Sequence, residues 1–270
     1  LDARLDALAS TPTNGSPRQG SATDYVEYGY ATYKVMPGLA ITMGKLAAVG
    51  GGFEYQYNPA DVPWMSNLNG YVAPKNSGGI GATYTIGDQA FDLQMLNEGT
   101  TDTQNNANGA TRSTPNFRYL GSFMGKKLQF TAYYNQIKPT EKSITTSGLG
   151  VKYDFGVASV DFDYGMVTDQ VNGTAAGDDT VNGMVLKVDV PVASWIIQPK
   201  VESTEHKDNG TKDHTYTNYG VTAIKPLTSN ASSAFLVGVA LKNDKVEAQN
   251  KTGTDTVLFA GFKIFADLIK

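Results

Sequence analysis

The chain has 270 residues, a formal net charge of −4 and only 18% charged residues, below the roughly 25% of an ordinary soluble domain. Its lack of Cys excludes a disulfide framework and a thiol nucleophile, and its two His leave little room for a His-based metal site. It has no basic run typical of nucleic-acid binding and no apolar stretch near the 18 or so residues of a spanning helix. An all-β soluble protein and a transmembrane β-barrel remain.

Short segments in which apolar and polar residues alternate recur along the whole chain. A transmembrane strand needs about 9–11 residues with one apolar face. Fourteen alternating segments can be counted, at residues 1–10, 25–35, 39–46, 80–86, 90–96, 117–124, 128–137, 148–155, 157–168, 180–190, 194–205, 214–225, 232–242 and 255–265. The first segment is also compatible with a helix, because its Leu residues fit a helical stripe.

The connections between these segments alternate in length. A long polar connection, such as TPTNGSPRQGSAT or NEGTTDTQNNANGATRSTP, follows each odd-numbered segment, and a short turn follows each even-numbered one. A soluble sandwich shows alternation too, but it has no reason to keep its long loops at one end. Short periplasmic turns, long extracellular loops and an even strand number are typical of outer-membrane barrels. The sequence therefore predicts one domain over residues 1–270, a closed antiparallel transmembrane β-barrel of about fourteen strands in the bacterial outer membrane.

The alternation assigns one face of each strand to lipid and the other to the lumen. In 158–164, for example, Val160 and Phe162 share one face, and Asp161 and Asp163 share the other. A barrel of this size is expected to enclose water. The charged residues predicted to line the lumen are Arg4, Arg118, Lys127, Lys152, Lys187, Lys200, Lys242 and Lys263, with Asp2, Asp6, Glu27, Asp92, Asp154, Asp161, Asp163, Asp189 and Glu202. No ring of one sign is visible, so pairing of these charges across strands and a role in ion selectivity are equal alternatives.

Residues 25–100 carry a further set of motifs. DYVEYGYATYKVMPGLAITMGKL is followed by GGFEYQYNPADVPWMSN and GIGATYTIGDQAFDLQMLNEGT, which give an aromatic strand, a Pro/Gly turn, a strand ending in Gly-Lys and a long loop. This region resembles the Gram-negative outer-membrane porins of the porin-O/P and OmpL-like type. The resemblance implies a channel for small hydrophilic solutes, often trimeric. Outer-membrane lipid and lipopolysaccharide are the other expected partners, and no cofactor is expected.

The longest connection, residues 47–77, contains three consecutive Gly, several aromatic residues including Trp64, and the acidic residues Glu54 and Asp61. A connection of this length is usually either functional or disordered, and its aromatic content favours order. We expect this loop to fold into the lumen as a constriction, with Glu54 and Asp61 near the narrowest point. An external lid or a subunit contact is an equal alternative.

A cluster of His and carboxylate residues occurs once, in EHKDNGTKDH, where His206, Asp208, Asp213 and His214 are predicted to lie in an extracellular loop. Such residues can act as a general base or bind a metal, but exposed loops are largely built from them. The sequence favours a passive diffusion pore for small hydrophilic solutes and ions, not an enzyme, without metal, cofactor or nucleic-acid partner. A substrate-specific channel for a sugar or other nutrient, a rim-located hydrolase and a plugged structural or adhesive barrel are the alternatives.

Overall fold

The computed structural model describes residues 2–7, 26–56, 64–68, 76–98, 112–137, 142–171, 179–228, 233–249 and 251–264. Fourteen strands lie in this part of the chain: β1 (Asp2–Ala7), β2 (Val26–Met36), β3 (Leu39–Ala47), β4 (Asn76–Ile86), β5 (Gln89–Glu98), β6 (Arg112–Phe123), β7 (Leu128–Ile137), β8 (Lys142–Asp154), β9 (Ser159–Val171), β10 (Asp179–Val192), β11 (Trp195–Asp208), β12 (Thr211–Pro226), β13 (Ser233–Val246) and β14 (Lys251–Ile264). One short helix, α1 (Phe53–Gln56), and a 3₁₀ turn, Glu247–Gln249, complete the described elements.

The strands form one antiparallel sheet in which each pairs with its neighbours in the chain, in the order β1 to β14. Each of the fourteen predicted segments overlaps one of these strands, so the predicted all-β antiparallel architecture is confirmed. Within the described residues no pairing joins the edge strands β1 and β14. No helix in the same residues has the length and apolar character needed to cross a membrane.

The two faces of the sheet differ in composition. The outer face carries exposed apolar and aromatic side chains, among them Met43, Ile80, Leu93, Phe117, Tyr134, Leu149, Tyr164, Leu186, Val201, Tyr219, Val239 and Leu258. The inner face, at the alternate positions, carries buried polar side chains that include Asp92, Asn116, Thr131, Thr146, Asp161, Asp163, Lys187, Lys200, Glu202 and Asn218. This distribution is the reverse of a soluble sandwich and fits a wall between lipid and a polar interior.

The prediction of a long polar loop between residues 205 and 214 is wrong. β11 and β12 continue into this stretch and are joined by only Asn209 and Gly210, whose φ angles are 51° and 76°. Positive φ at both central residues is the tight hairpin turn that Asn-Gly favours. Glu205, which follows Val201 and Ser203 on the outer face of β11, marks the end of the apolar band. The residues here are polar because the strands extend beyond this band, not because the chain leaves the sheet.

The assignment of the two faces predicts how costly a new charge is at neighbouring positions. Val151 on β8 lies on the outer face opposite Phe130 and Phe162, and Gln129 on β7 lies on the inner face opposite Lys152. Val151→Arg is expected to lower the free energy of unfolding by about 2–4 kcal/mol, because the cation would lie near the middle of the bilayer. Gln129→Arg should cost less than about 1 kcal/mol. Urea titration of folding in lipid vesicles measures both, and equal costs would contradict the assignment.

Candidate functional site on the inner face

The segment that follows β3, described at residues 47–56 and 64–68, lies against the inner face of β8 and β9. At the start of α1, the backbone N–H groups of Phe53 and Glu54 donate to the two carboxylate oxygens of Asp163, at 2.7 and 2.8 Å. Gly52 permits this approach, because a Cβ at this position would overlap the Asp163 carboxylate. Asp163 on β9 thus satisfies the free N–H groups of α1 as a capping side chain does, and holds the helix on the sheet.

Glu54 and Lys200 form a buried ion pair beside this contact, with exposed fractions of 3% and 5%. Lys200, on β11, also donates to the carbonyl oxygen of Trp64 at 2.7 Å, and its Nζ lies 4.0 Å from the centre of the Trp64 ring. The Glu54 carboxylate accepts hydrogen bonds from the hydroxyl and, at 3.2 Å, from the backbone N–H of Ser66. Such additional hydrogen bonds offset the cost of removing both charges from water. The network joins the segment to β11.

Glu202, two residues further along β11, holds the end of the described segment. One of its oxygens accepts the backbone N–H groups of Asn67 and Leu68, the latter at 3.2 Å, and the Thr204 hydroxyl at 3.0 Å. The other oxygen accepts the side-chain amide of Asn218 at 2.8 Å. The four hydrogen bonds offset the cost of burying the Glu202 carboxylate, which is fully buried. Because two of the donors are backbone N–H groups of the segment, Glu202 positions the segment on β11.

Further contacts anchor both ends of the segment. At its start, the side-chain amide of Gln94 on β5 accepts from the Val49 N–H at 2.8 Å and donates to the Ala47 carbonyl at 3.1 Å. At its end, Leu68 packs into an apolar cluster with Val167, Val181 and Val185 on the inner face of β9 and β10. Residues 47–56 and 64–68 are therefore bound to inner-face side chains from β5 to β11.

Many of the other predicted lumen charges are paired with one another. Arg118 on β6 donates to Asp92 on β5 through two nitrogens, at 2.9 and 2.8 Å. Across β8 to β10, the Nζ–O distances are 3.5 Å for Lys152 and Asp161, 3.1 Å for Lys187 and Asp161, and 3.2 Å for Lys187 and Asp189. On these strands the structure shows pairing of the inner-face charges. This was one of the two alternatives from the sequence, the other being a role in ion selectivity.

The segment divides the space beside the inner face. Where it meets β9 to β11, a cavity of about 10 Å³ remains among Glu54, Asp163 and Lys187, which is room for roughly one water. Toward the short turns, a cavity of about 340 Å³ borders Gln129. A cavity of about 540 Å³ lies between Asn67 of the segment and the inner face of β12 to β14. In the described residues, the space is therefore closed along β9 to β11 and open along β12 to β14.

Some predicted lumen residues lie elsewhere. Lys127, predicted to line the lumen, is exposed in the turn between β6 and β7 and not on the inner face of a strand. Lys242, by contrast, lies on the inner face opposite Asn218 and lines the 540 Å³ cavity. The side chains of Arg4, Asp2 and Asp6 in β1, Glu27 in β2 and Lys263 in β14, and the whole of Asp61, lie outside the described residues.

Several residues that hold the segment were not predicted from the sequence. Ser66, Asn67, Gln94 and Asn218 are neutral, so a search for charged residues passes over them. The alternation does place Gln94 and Asn218 on the inner face. The bonds of Gln94 to the segment, and the bond by which Asn218 supports Glu202, depend on how a connection between distant strands folds, which no local pattern records.

The predicted His and carboxylate cluster forms at the end of β11 to β13, beyond the apolar band. His214 Nδ1 lies 2.9 Å from Asp244, and its Nε2 lies 3.4 Å from Asp213. His206 Nδ1 lies 3.6 Å from the same Asp213 carboxylate, and the His214 ring stacks on Tyr216. No group of three or more His, Asp or Glu in the described residues has an arrangement suited to a metal ion.

The hydrogen bond to Asp244 raises the pKa of His214 above its usual value of about 6.5. Because the folded state binds this proton more tightly, the stabilisation is fully present below about pH 6.5 and is lost as pH rises through the folded pKa. Asp244→Asn is expected to lower the His214 pKa toward about 6.5. An NMR titration of the two His rings measures this change, with His206 as reference, and an unchanged His214 pKa would contradict the assignment.

No protein-family model and no curated protein matches the chain. OmpT, an outer-membrane protein of Vibrio cholerae, has a TM-score of 0.64 at 12% identity, over 88% of this chain and 78% of its own. An anion-selective porin from Comamonas acidovorans has a TM-score of 0.60 at 12% identity, over 90% and 77%. The chain has the fold of bacterial outer-membrane β-barrel proteins. The predicted location in the outer membrane agrees with this fold.

Proposed function

We propose that this chain is an outer-membrane channel through which small hydrophilic solutes and ions diffuse passively. The observation that carries the proposal is the segment 47–68, whose described parts are bound to Asp163, Lys200 and Glu202 on the polar inner face. A polar interior with a folded-in segment is suited to a water-filled passage, and the apolar outer face is suited to lipid.

The proposal includes closure of the sheet into a barrel of about fourteen strands, with β1 beside β14. Unpaired backbone groups at a strand edge would cost several kcal/mol each in hydrocarbon, so both edges need a partner. We further propose a homotrimer in contact with lipid and lipopolysaccharide, since one similar structure, the OmpT of Vibrio cholerae, is described in a trimer form.

In this channel the segment 47–68 acts as the constriction. It fills the space along β9 to β11, so the passage runs along β12 to β14, past Asn67 and Lys242. Glu54 and Trp64 serve to fix the segment in place, because both are buried and bonded to Lys200. Solutes are then selected by the width and charge of the open side.

Reconstitution into a planar lipid bilayer tests this function. In KCl the purified chain is expected to produce stable, stepwise increases in current, and detergent without protein should produce none. A chain that is inserted and folded but gives no steps would overturn the proposal and favour a plugged barrel. Catalysis at the rim is not part of the proposal.

A further inference from the structure

The cavity beside β12 to β14 contains two opposite charges that do not bond to each other. Lys242 on β13 and Asp255 on β14 are directly opposite in the strand register. Both line the 540 Å³ cavity, and neither has a hydrogen-bond or ion-pair partner in the described part of the chain. Elsewhere on the inner face, charges such as those of Arg118 and Asp92 are joined directly. The cavity thus holds an open cation and an open anion side by side.

The other groups around this cavity are largely neutral or already engaged. Tyr216 and Val246 provide aromatic and apolar surface, and Asn67 and Gln249 provide amides. The Asp244 carboxylate is bonded to His214. Lys251 lies four residues from Asp255 along β14, about 13 Å away at the usual rise per residue. Among the described residues that line the cavity, Lys242 and Asp255 are therefore the one closely spaced pair of open charges.

We infer that this cavity binds small zwitterions, the amino acids and short peptides, during their passage. The solute carboxylate would accept from Lys242 Nζ, its ammonium would donate to the Asp255 carboxylate, and its side chain would contact Tyr216 and Val246. A volume of about 540 Å³ is within the range of small-ligand sites. The inference rests on the proposed function and names the solute class of the same channel.

Charge balance distinguishes zwitterions from other small solutes at this site. A simple anion is attracted by Lys242 and repelled by Asp255. A simple cation is attracted by Asp255 and repelled by Lys242. A neutral solute of the same size gains neither attraction. Because both groups are accessible to water, each contact is weak, as a transit site requires if the solute is to leave again.

Swelling of proteoliposomes containing the full chain tests the inference. L-Alanine, a zwitterion, is compared with lactamide, a neutral molecule of nearly the same size and shape. The wild-type chain is expected to admit alanine roughly three- to ten-fold faster than lactamide, the combined effect of two weak ion pairs. KCl conductance is recorded on the same preparations, so that a failure of the channel itself is recognised separately.

Four variants make the test specific. Lys242→Met and Asp255→Asn should each remove the preference for alanine while KCl conductance persists. The exchange variant, with Lys242→Asp and Asp255→Lys, should retain it, because the solute can bind in the opposite orientation. Lys225→Met, which removes a cation near the Trp195 ring, should leave the preference unchanged. An alanine-to-lactamide ratio that is the same in all four variants and the wild type would overturn the inference while leaving the channel intact. Absence of KCl current would overturn the proposed function instead.

Discussion

Replacing residues 54–69 by a short Gly/Ser linker is expected to leave the strands folded and to raise single-channel conductance on the order of two-fold. Within the described residues, this stretch contributes α1 and the contacts at Trp64 to Leu68, but no strand of the sheet. Its removal opens the space along β9 to β11, where only about 10 Å³ is now free. Lys200 loses its contacts with Glu54 and Trp64, and Glu202 keeps only the donors Thr204 and Asn218. Lumen water then solvates both side chains, so the barrel should still fold.

A second replacement separates the effect of the volume that the segment fills from the effect of the contacts that hold it on the sheet. Sixteen Gly and Ser residues in place of 54–69 keep the length of the chain but remove the side chains that hold it, namely the Glu54 carboxylate and the Trp64 ring at Lys200 and the Leu68 side chain in its apolar cluster. We expect a current that fluctuates between the wild-type and deletion levels. If both replacements conduct as the wild type does, the segment lies outside the current path. If neither folds, the segment is part of the structural core.

The strands could be predicted because each is recognised from the alternation of apolar and polar residues within its own short stretch of sequence. Alternation has a period of two residues, so a stretch such as 128–137 reveals both its type and its two faces, and β7 has these same bounds. Strand ends are less visible, because strands that continue past the apolar band carry polar residues on both faces. That is why β6 begins at Arg112 and β8 at Lys142, ahead of the predicted starts.

The turn at Asn209 and Gly210 was present in the sequence as a hairpin signal, but the polar residues around it were interpreted as a loop. The register explains how those residues remain in the strands. Glu205, on the outer face, pairs with Lys212 and Lys207 at N–O distances of 2.9 and 3.0 Å. These two bonds lower the pKa of Glu205 below its usual range. Charged side chains are stable on a strand face where water, not lipid, is the neighbour.

Only part of the site could be predicted from the sequence. The length and aromatic content of residues 47–77 drew attention to Glu54 and Trp64, and alternation placed Asp163 and Lys200 on the inner face. Which of these residues meet depends on contacts between positions 109 and 146 residues apart. The sequence predicts Glu54 near the narrowest point of the lumen. The structure balances the charge of Glu54 with Lys200, and among the described residues of the 540 Å³ cavity the closely spaced open charges are those of Lys242 and Asp255.

Lys200→Met is expected to destabilise the protein by about 3–5 kcal/mol, because it leaves the Glu54 carboxylate buried without its cation. Lys152 provides a matched control, since it is also an inner-face Lys in an ion pair, but its side chain is 22% exposed. Lys152→Met should therefore cost less than about 1 kcal/mol. Urea titration of folding in lipid vesicles measures both variants under the same conditions.

Adding Glu54→Gln to Lys200→Met is expected to recover most of the lost stability. The amide keeps an oxygen that can accept from the Ser66 N–H, while the uncompensated charge is removed. A buried ion pair replaced by neutral groups of similar size is often close to neutral in stability, whereas removal of one partner is not. If the double variant is as unstable as Lys200→Met alone, the loss comes from other Lys200 contacts, those to the Trp64 carbonyl and ring. Equal costs for Lys200→Met and Lys152→Met would instead mean that Glu54 reaches water, and the segment would not be held by this pair.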